Sequence, residues 1–337
     1  MEILWFGIVL ISLLAYLLLD GYDLGAGTIA VVERDRHTRH QIIEQVANVW
    51  DGNETWLVMA GVSLWAGFPL AFGVLLPHLY IPLVVMLLAL ILRGFSIEMI
   101  SQRDGAVGER WYRAFGIGSL VAAFAQGFAL GALTRPVAYD GASYVGGSAT
   151  DVFSWYSVLM GVGVVVLDVT LGYAYLYLQG VGDAQTLARR GRLGVVSTGV
   201  LAVLALALVG ATPAGMNLST PARAIAFAGT MVFAVVALVI ASLTFRSSAA
   251  AGRRSGTPMA AMVTATVAVV VAFLIGHAPD LAPGLTLDDA AATSSTYTFL
   301  LVGIGLNLPL IAYYTWFSQR ALSRRSPVLA PEGEMPR

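Results

Sequence analysis

Neither cysteine nor lysine occurs among the 337 residues, and charged side chains make up only 12% of them. Without cysteine there is no disulfide, zinc ribbon, iron–sulfur cluster or thioether-bound haem. Length alone suggests two globular domains. A soluble chain, however, carries roughly 25% charged residues, so half that share could not coat two soluble surfaces. The formal net charge of −1 lacks the basic excess of a nucleic-acid binder. Histidine is also scarce, with four in all. His37 and His40 lie among Arg and Glu and read as solvated, while His78 and His277 fall near the ends of apolar runs, where a haem pair is conceivable but no histidine is in mid-span. What is abundant is apolar: 58% hydrophobic residues, 36 glycines and a mean hydropathy of +0.78. These features describe an all-α polytopic membrane protein.

A membrane helix needs about 20 mostly apolar residues to cross roughly 30 Å of hydrocarbon. Gaps between charges predict nine such helices, at about 3–27, 51–73, 78–99, 113–134, 152–178, 193–212, 223–245, 258–277 and 296–320. The first has no basic n-region or small-residue cleavage site and reads as a span, not a signal peptide. The stretch from Thr55 to Leu92 has 38 uncharged residues, too many for one crossing, and a turn around Gly73–Pro77 would divide it. Alternating the loops puts 17 of the 19 arginines on one side, leaving only Arg135 and Arg223 opposite. The positive-inside rule then places the N-terminus outside and the C-terminus in the cytoplasm. Residues 1–322 read as one transmembrane domain, and the polar, proline-containing 323–337 as a disordered cytoplasmic tail. A weak echo links Leu19-Asp20-Gly21-Tyr22-Asp23-Leu24-Gly25 in the first helix to Leu167-Asp168-Val169-Thr170-Leu171-Gly172 in the fifth.

An ionisable group inside a bilayer costs several kcal/mol unless paired, protonated or hydrated. The informative residues are therefore the few acids that interrupt apolar helix. Asp20 and Asp23 share a helix face at i, i+3 and lie in the inner leaflet, where like charges favour a shared proton. The block Trp50-Asp51-Gly52-Asn53-Glu54-Thr55-Trp56 opens the second helix, with Asp51, Glu54 and Thr55 on one face and Asn53 offering donor and acceptor. Its tryptophans could anchor the interface or exclude bulk water. Arg93 and Glu98 end the third helix about 140° apart around its axis, so they face different partners. Arg93 could balance a carboxylate of a neighbouring helix. A row of carboxylates with hydroxyl and amide neighbours, open to the cytoplasm, suits a proton entry path. Helix capping and interhelical hydrogen bonding fit the same residues. Asp168 is the sole acid deep in the fifth helix, and packing and functional roles both fit it.

Asp20-Gly21-Tyr22-Asp23-Leu24-Gly25, Trp50-Asp51-Gly52-Asn53-Glu54-Thr55-Trp56-Leu57 and Arg93-Gly94 followed by Glu98 together resemble subunit II of the cytochrome bd quinol oxidases of bacteria and archaea. The likeness is clear over about residues 1–113. In that family the glutamate is commonly followed by an aromatic and a basic residue, whereas Met99-Ile100 stand here. The resemblance implies two four-helix bundles plus one extra helix, paired with a related, haem-bearing subunit I; small single-helix subunits can join. It implies that haems b and d belong to that partner, that subunit II ligates none and that it can hold a structural quinone. It also implies a cytoplasmic proton supply, through acids matching Asp23 and Asp51, for the reduction of dioxygen to water in a bacterial cytoplasmic membrane. The enzyme would generate proton-motive force without pumping. The competing reading is a proton-coupled secondary transporter that uses the same carboxylates.

Overall fold

The computed structural model describes residues 1–102, 105–135, 137, 139–141, 143–146, 152–209, 218–250, 254–277, 280–282 and 285–322. The predicted tail 323–337 lies outside them. The chain is almost wholly helical: α1 Glu2–Val32, α2 Arg36–Ala47, α3 Trp50–Gly67, α4 Pro69–His78, α5 Tyr80–Gln102, α6 Gly105–Ala132, α7 Trp155–Gln179, α8 Ala184–Val209, α9 Pro221–Ala250 and α10 Thr257–His277. A small hairpin, β1 Asp280–Ala282 with β2 Leu285–Thr286, and the short α11 Leu287–Ala290 follow. The last helical stretch, α12 Ser294–Leu300 and α13 Leu308–Leu322, is interrupted by a π-helical turn at Leu301–Gly305. Among the described residues, eight helices are long and apolar enough to cross a membrane.

The turn expected around Gly73–Pro77 is displaced. Those residues lie inside α4, and the break falls at Phe68, whose backbone leaves the helical region just before Pro69 takes the first position of α4. Proline suits that position because its missing N–H would have no intrahelical acceptor there. The 18 residues of α3 span about 27 Å at 1.5 Å each. They run antiparallel to α1, from Asn53 beside Asp23 to Ser63, whose carbonyl accepts 2.8 Å from Trp5 Nε1. Phe68 at the break and Ala71 and Val74 of α4 then join one buried cluster with Trp5, Ile8, Val9, Leu285, Ala290 and Tyr297.

Several helices begin earlier than the apolar gaps suggest. α6 starts at Gly105 and α8 at Ala184, taking Arg110, Arg113, Arg189, Arg190 and Arg192 into their opening turns. Charge marks where hydrocarbon ends, not where a helix ends. The arginine-rich segments meet at one end of the molecule. Arg39 of α2 grips Glu109 of α6 through both guanidinium nitrogens, at 3.0 and 2.6 Å, and lies over the Tyr112 ring. Arg254 donates to the carbonyls of Tyr177 and Gly182, and Gly182 lies against Thr38. Asp35 caps α2, and hydrogen bonds from the Thr38 hydroxyl and amide hold its carboxylate below the usual range.

α1, α3, α5 and α6 pack together, as do α7, α8, α9 and α10, and α1 and α6 meet α7. At the α1–α7 crossing the two backbones touch. A methyl group on Gly25 would land on the Asp168 carbonyl, and one on Gly172 would stand 2.6 Å from Ala26 N. Nearby, Tyr22 stacks on Tyr175 with ring centroids 4.4 Å apart. Both obstacles are backbone atoms, so no rotamer change relieves them. Gly25→Ala should therefore destabilise the protein by about 1–3 kcal/mol or more. Gly61→Ala, at a position with open space, should be neutral or slightly stabilising. Thermal unfolding of the two purified variants checks this.

Candidate functional site

Three helices deliver charge to one point inside the membrane-spanning body. α1 supplies Asp20 and Asp23, α3 supplies Asn53 and Glu54, and α5 supplies Arg93. Asp20, Asp23 and Arg93 are fully buried, at 0% exposure, and Asn53 at 1%. Arg93 Nη1 donates to Asp20 Oδ1 at 2.8 Å and to Glu54 Oε1 at 3.2 Å, while Nη2 stands 3.8 Å from Asp23 Oδ2. Asn53 Nδ2 donates to the same Asp23 oxygen at 2.6 Å and to the Leu19 carbonyl and Tyr22 hydroxyl at 3.2 Å. The guanidinium carbon lies 5.9 Å from the Phe115 ring centroid. Asp20 and Asp23 thus share the guanidinium of Arg93.

Glycines make this convergence sterically possible. A methyl on Gly118 of α6 would meet Ala89 O at 2.9 Å and Arg93 N at 3.3 Å, so α5 and α6 are in backbone contact behind the cation. Gly94 receives the Trp50 indole, whose Cη2 would lie 2.8 Å from an added methyl. Trp50 therefore lies against α5, whereas Trp56 is buried and donates through Nε1 to Thr315 Oγ1 of α13 at 3.2 Å.

Asp51, Glu54 and Thr55 lie along the outer side of α3 and Asn53 along its inner side. Asn53 points inward and Glu54 is half-buried, with 22% of its side chain exposed, but Asp51 and Thr55 are exposed. Thr55 Oγ1 turns back to the Asp51 carbonyl at 3.1 Å. Glu98 is also exposed and accepts from Gln102 Nε2 at 2.6 Å, apart from the Arg93 group. One further acid joins the site, Asp168 of α7, which is 1% exposed and close enough to Asp20 to interact electrostatically. Its isolation in an otherwise apolar helix was the sequence signal for it.

One cation faces three carboxylates, with a fourth nearby. A buried carboxylate is costly unless it is paired, hydrogen-bonded or neutral, and three acids here share one guanidinium. Of the histidines, His40 Nδ1 pairs with the Tyr112 hydroxyl at 2.8 Å, and the buried His78 lies 3.4 Å from the Ala132 carbonyl.

Residues 1–322 match the family model described as cytochrome bd terminal oxidase subunit II. The chain is 31% identical over 211 residues to cytochrome bd ubiquinol oxidase subunit 2 of Bacillus subtilis, covering 60% of this chain and 62% of that one. It is 27% identical over 213 residues to cytochrome bd-I ubiquinol oxidase subunit 2 of Escherichia coli K12, covering 61% and 56%. The chain thus spans about six-tenths of the length of these relatives. In fold it is similar to a chain of the bd oxidase from Geobacillus thermodenitrificans, with a TM-score of 0.75 at 20% identity, over 95% of this chain and 97% of that one.

Removing the cation alone should be severe. Arg93→Met is expected to destabilise the protein by about 3–5 kcal/mol, because buried carboxylates lose their partner. Adding Asp20→Asn should recover part of the loss, since it removes one of the stranded charges. Melting temperatures of the single and double variants, measured side by side, test the coupling.

Proposed function

The chain belongs to the cytochrome bd terminal oxidase subunit II family, and from that premise we propose that it serves a respiratory quinol:dioxygen oxidoreductase in a bacterial cytoplasmic membrane. In this reading it binds no haem. It stabilises a haem-bearing subunit I and delivers cytoplasmic protons toward that partner. The observation that carries the proposal is the buried Arg93 with Asp20, Asp23 and Glu54 around it.

The topology that goes with it has nine crossings. α3 is the second, at about the length of the hydrocarbon layer. α1, α3, α5 and α6 form one four-helix bundle, α7 to α10 the other, and α12–α13 the extra helix. The N-terminus lies outside. The end where Arg39, Glu109 and Arg254 gather faces the cytoplasm, in keeping with the positive-inside rule.

At that end Asp51 is exposed on the first turn of α3 and forms the mouth of the inlet. Glu54, half-buried one turn deeper, takes the proton inward to the Arg93 group. There Asn53 orients Asp23 by its 2.6 Å hydrogen bond, and Arg93 compensates whichever carboxylate is ionised at that moment. Thr55 completes the mouth. Glu98, exposed near the end of α5, is a second acid that can collect protons. Trp50 closes the α3–α5 contact, and Trp56 ties α3 to α13. Reducing one dioxygen to water consumes protons as well as electrons, and haems b and d held by subunit I supply the redox chemistry. Because those protons come from inside, the reaction separates charge without pumping. Single-helix subunits and a bound structural quinone are compatible additional partners.

Asp23→Asn, Asp51→Asn and Glu54→Gln, each in the assembled enzyme, are expected to keep full haem content and lose quinol:O2 turnover by about tenfold or more. Optical spectra give the haem and oxygen uptake gives the rate. Normal turnover in all three variants would leave only a scaffold.

A further inference from the structure

Asp168 has no use in the inlet described above, yet its setting is unusual. It is 1% exposed, and neither carboxyl oxygen makes a hydrogen bond. Among the described residues it forms no ion pair. It sits at the α1–α7 crossing, pressed on the α1 backbone: a methyl added to Gly21 would stand 2.9 Å from its Oδ1 and 3.6 Å from its Cγ. Gly21 is the direct neighbour of Asp20. Of the two oxygens of Asp20, Oδ1 is taken by Arg93, while Oδ2 is buried and makes no hydrogen bond.

The two observations fit each other. A buried carboxylate without a cation or donor is among the most expensive groups a protein can hold. The neutral acid escapes that cost and gains an O–H donor, which then needs an acceptor. An acceptor without a hydrogen bond is available on the residue next to Gly21, at Asp20 Oδ2. A packing role does not account for the acid, because replacing a buried ionisable group with an apolar one of similar volume is often neutral or stabilising.

We propose that Asp168 is a proton-carrying member of the site, a neutral carboxylic acid that exchanges its proton with Asp20, directly or through one water, and so extends the relay from α1 into α7. The exchange is balanced: as Asp168 gives up its proton and becomes a carboxylate, Asp20 gains that proton and releases the guanidinium charge of Arg93 to its neighbours. The proposal rests on the inlet reading of the Arg93 group, but its test is separable from it.

The test compares Asp168→Asn and Asp168→Val with the natural chain in the assembled, haem-loaded complex. Two readouts are needed: oxygen uptake with quinol, and the redox-triggered infrared difference spectrum in the protonated-carboxyl C=O region. A carboxyl signal present in the natural complex and lost in both variants, with turnover down roughly tenfold at unchanged haem content, is the expected result. A purely structural role would not move the infrared band. Persistence of the band, or loss of the band with normal turnover, overturns the proposal. Should neither variant assemble, Gly21→Ala decides, because its methyl pushes directly on Oδ1. A shifted carboxyl band supports the assignment and an unmoved one overturns it. Normal turnover in the Asp23, Asp51 and Glu54 variants alongside a slowed Asp168→Asn would sink the inlet and keep the exchange; the reverse pattern would sink the exchange alone.

Discussion

The Arg93 guanidinium is the constraint to which the first half of the molecule is fitted. It is fully buried, and the carboxylates that compensate it come from two other helices. Buried ion networks seldom stabilise a protein more than apolar packing would, because desolvation offsets the attraction. They are, however, unforgiving of displacement. A small slide of α1 or α3 against α5 would leave a charge alone in a medium that cannot screen it. Stability therefore explains the position of the helices poorly, while the need to keep several acids around one cation explains it well.

Such a cluster demands closer helix approach than bulky side chains allow. Gly118 puts α6 against the backbone at Arg93, and Gly94 admits the Trp50 ring. Gly27 of α1 and Gly116 of α6 bring those two helices together, since a methyl on Gly116 would stand 2.8 Å from the Gly27 carbonyl. Inside a bilayer there is little hydrophobic drive between helices, so small residues and the contacts they permit set the association. Here the same glycines also set the distance between the charges.

The helical membrane architecture was legible in the sequence because apolar runs and their lengths report directly on the bilayer. The members of the buried charge cluster were legible for a related reason: acids in apolar helix are costly, so Asp20, Asp23, Glu54 and Asp168 stood out. Their arrangement was less legible. Period alone gives the residues that share a face but not the neighbour that face meets. Asp51, Glu54 and Thr55 share a face of α3 by spacing, but the sequence did not say that this face is largely exposed and that Asn53 is the residue turned inward. Arg93 was readable as a counter-ion to a neighbouring helix, but its bonds to two helices at once depend on rotations no single-helix pattern contains. The displaced turn had a signal in plain view. Pro69 marks a helix start, whereas Pro77 stands within the final turn of α4, near where that helix ends anyway.

The weak echo between the first and fifth predicted helices has a spatial counterpart. α1 and α7 cross where the echoed segments lie, with Gly25 against Gly172, Gly21 beside Asp168, and Tyr22 stacked on Tyr175. Two helices that exchange like contacts at their crossing are what a duplicated unit paired about a local two-fold axis would produce. The electrostatics are not duplicated. On the α1 side an arginine meets the acid, while Asp168 on α7 has no cation of its own among the described residues. Two acids in echoed positions thus stand in unequal surroundings, one bonded to a guanidinium and one with no ion pair among the described residues, so any duplication kept the helix contacts and not the charge partner.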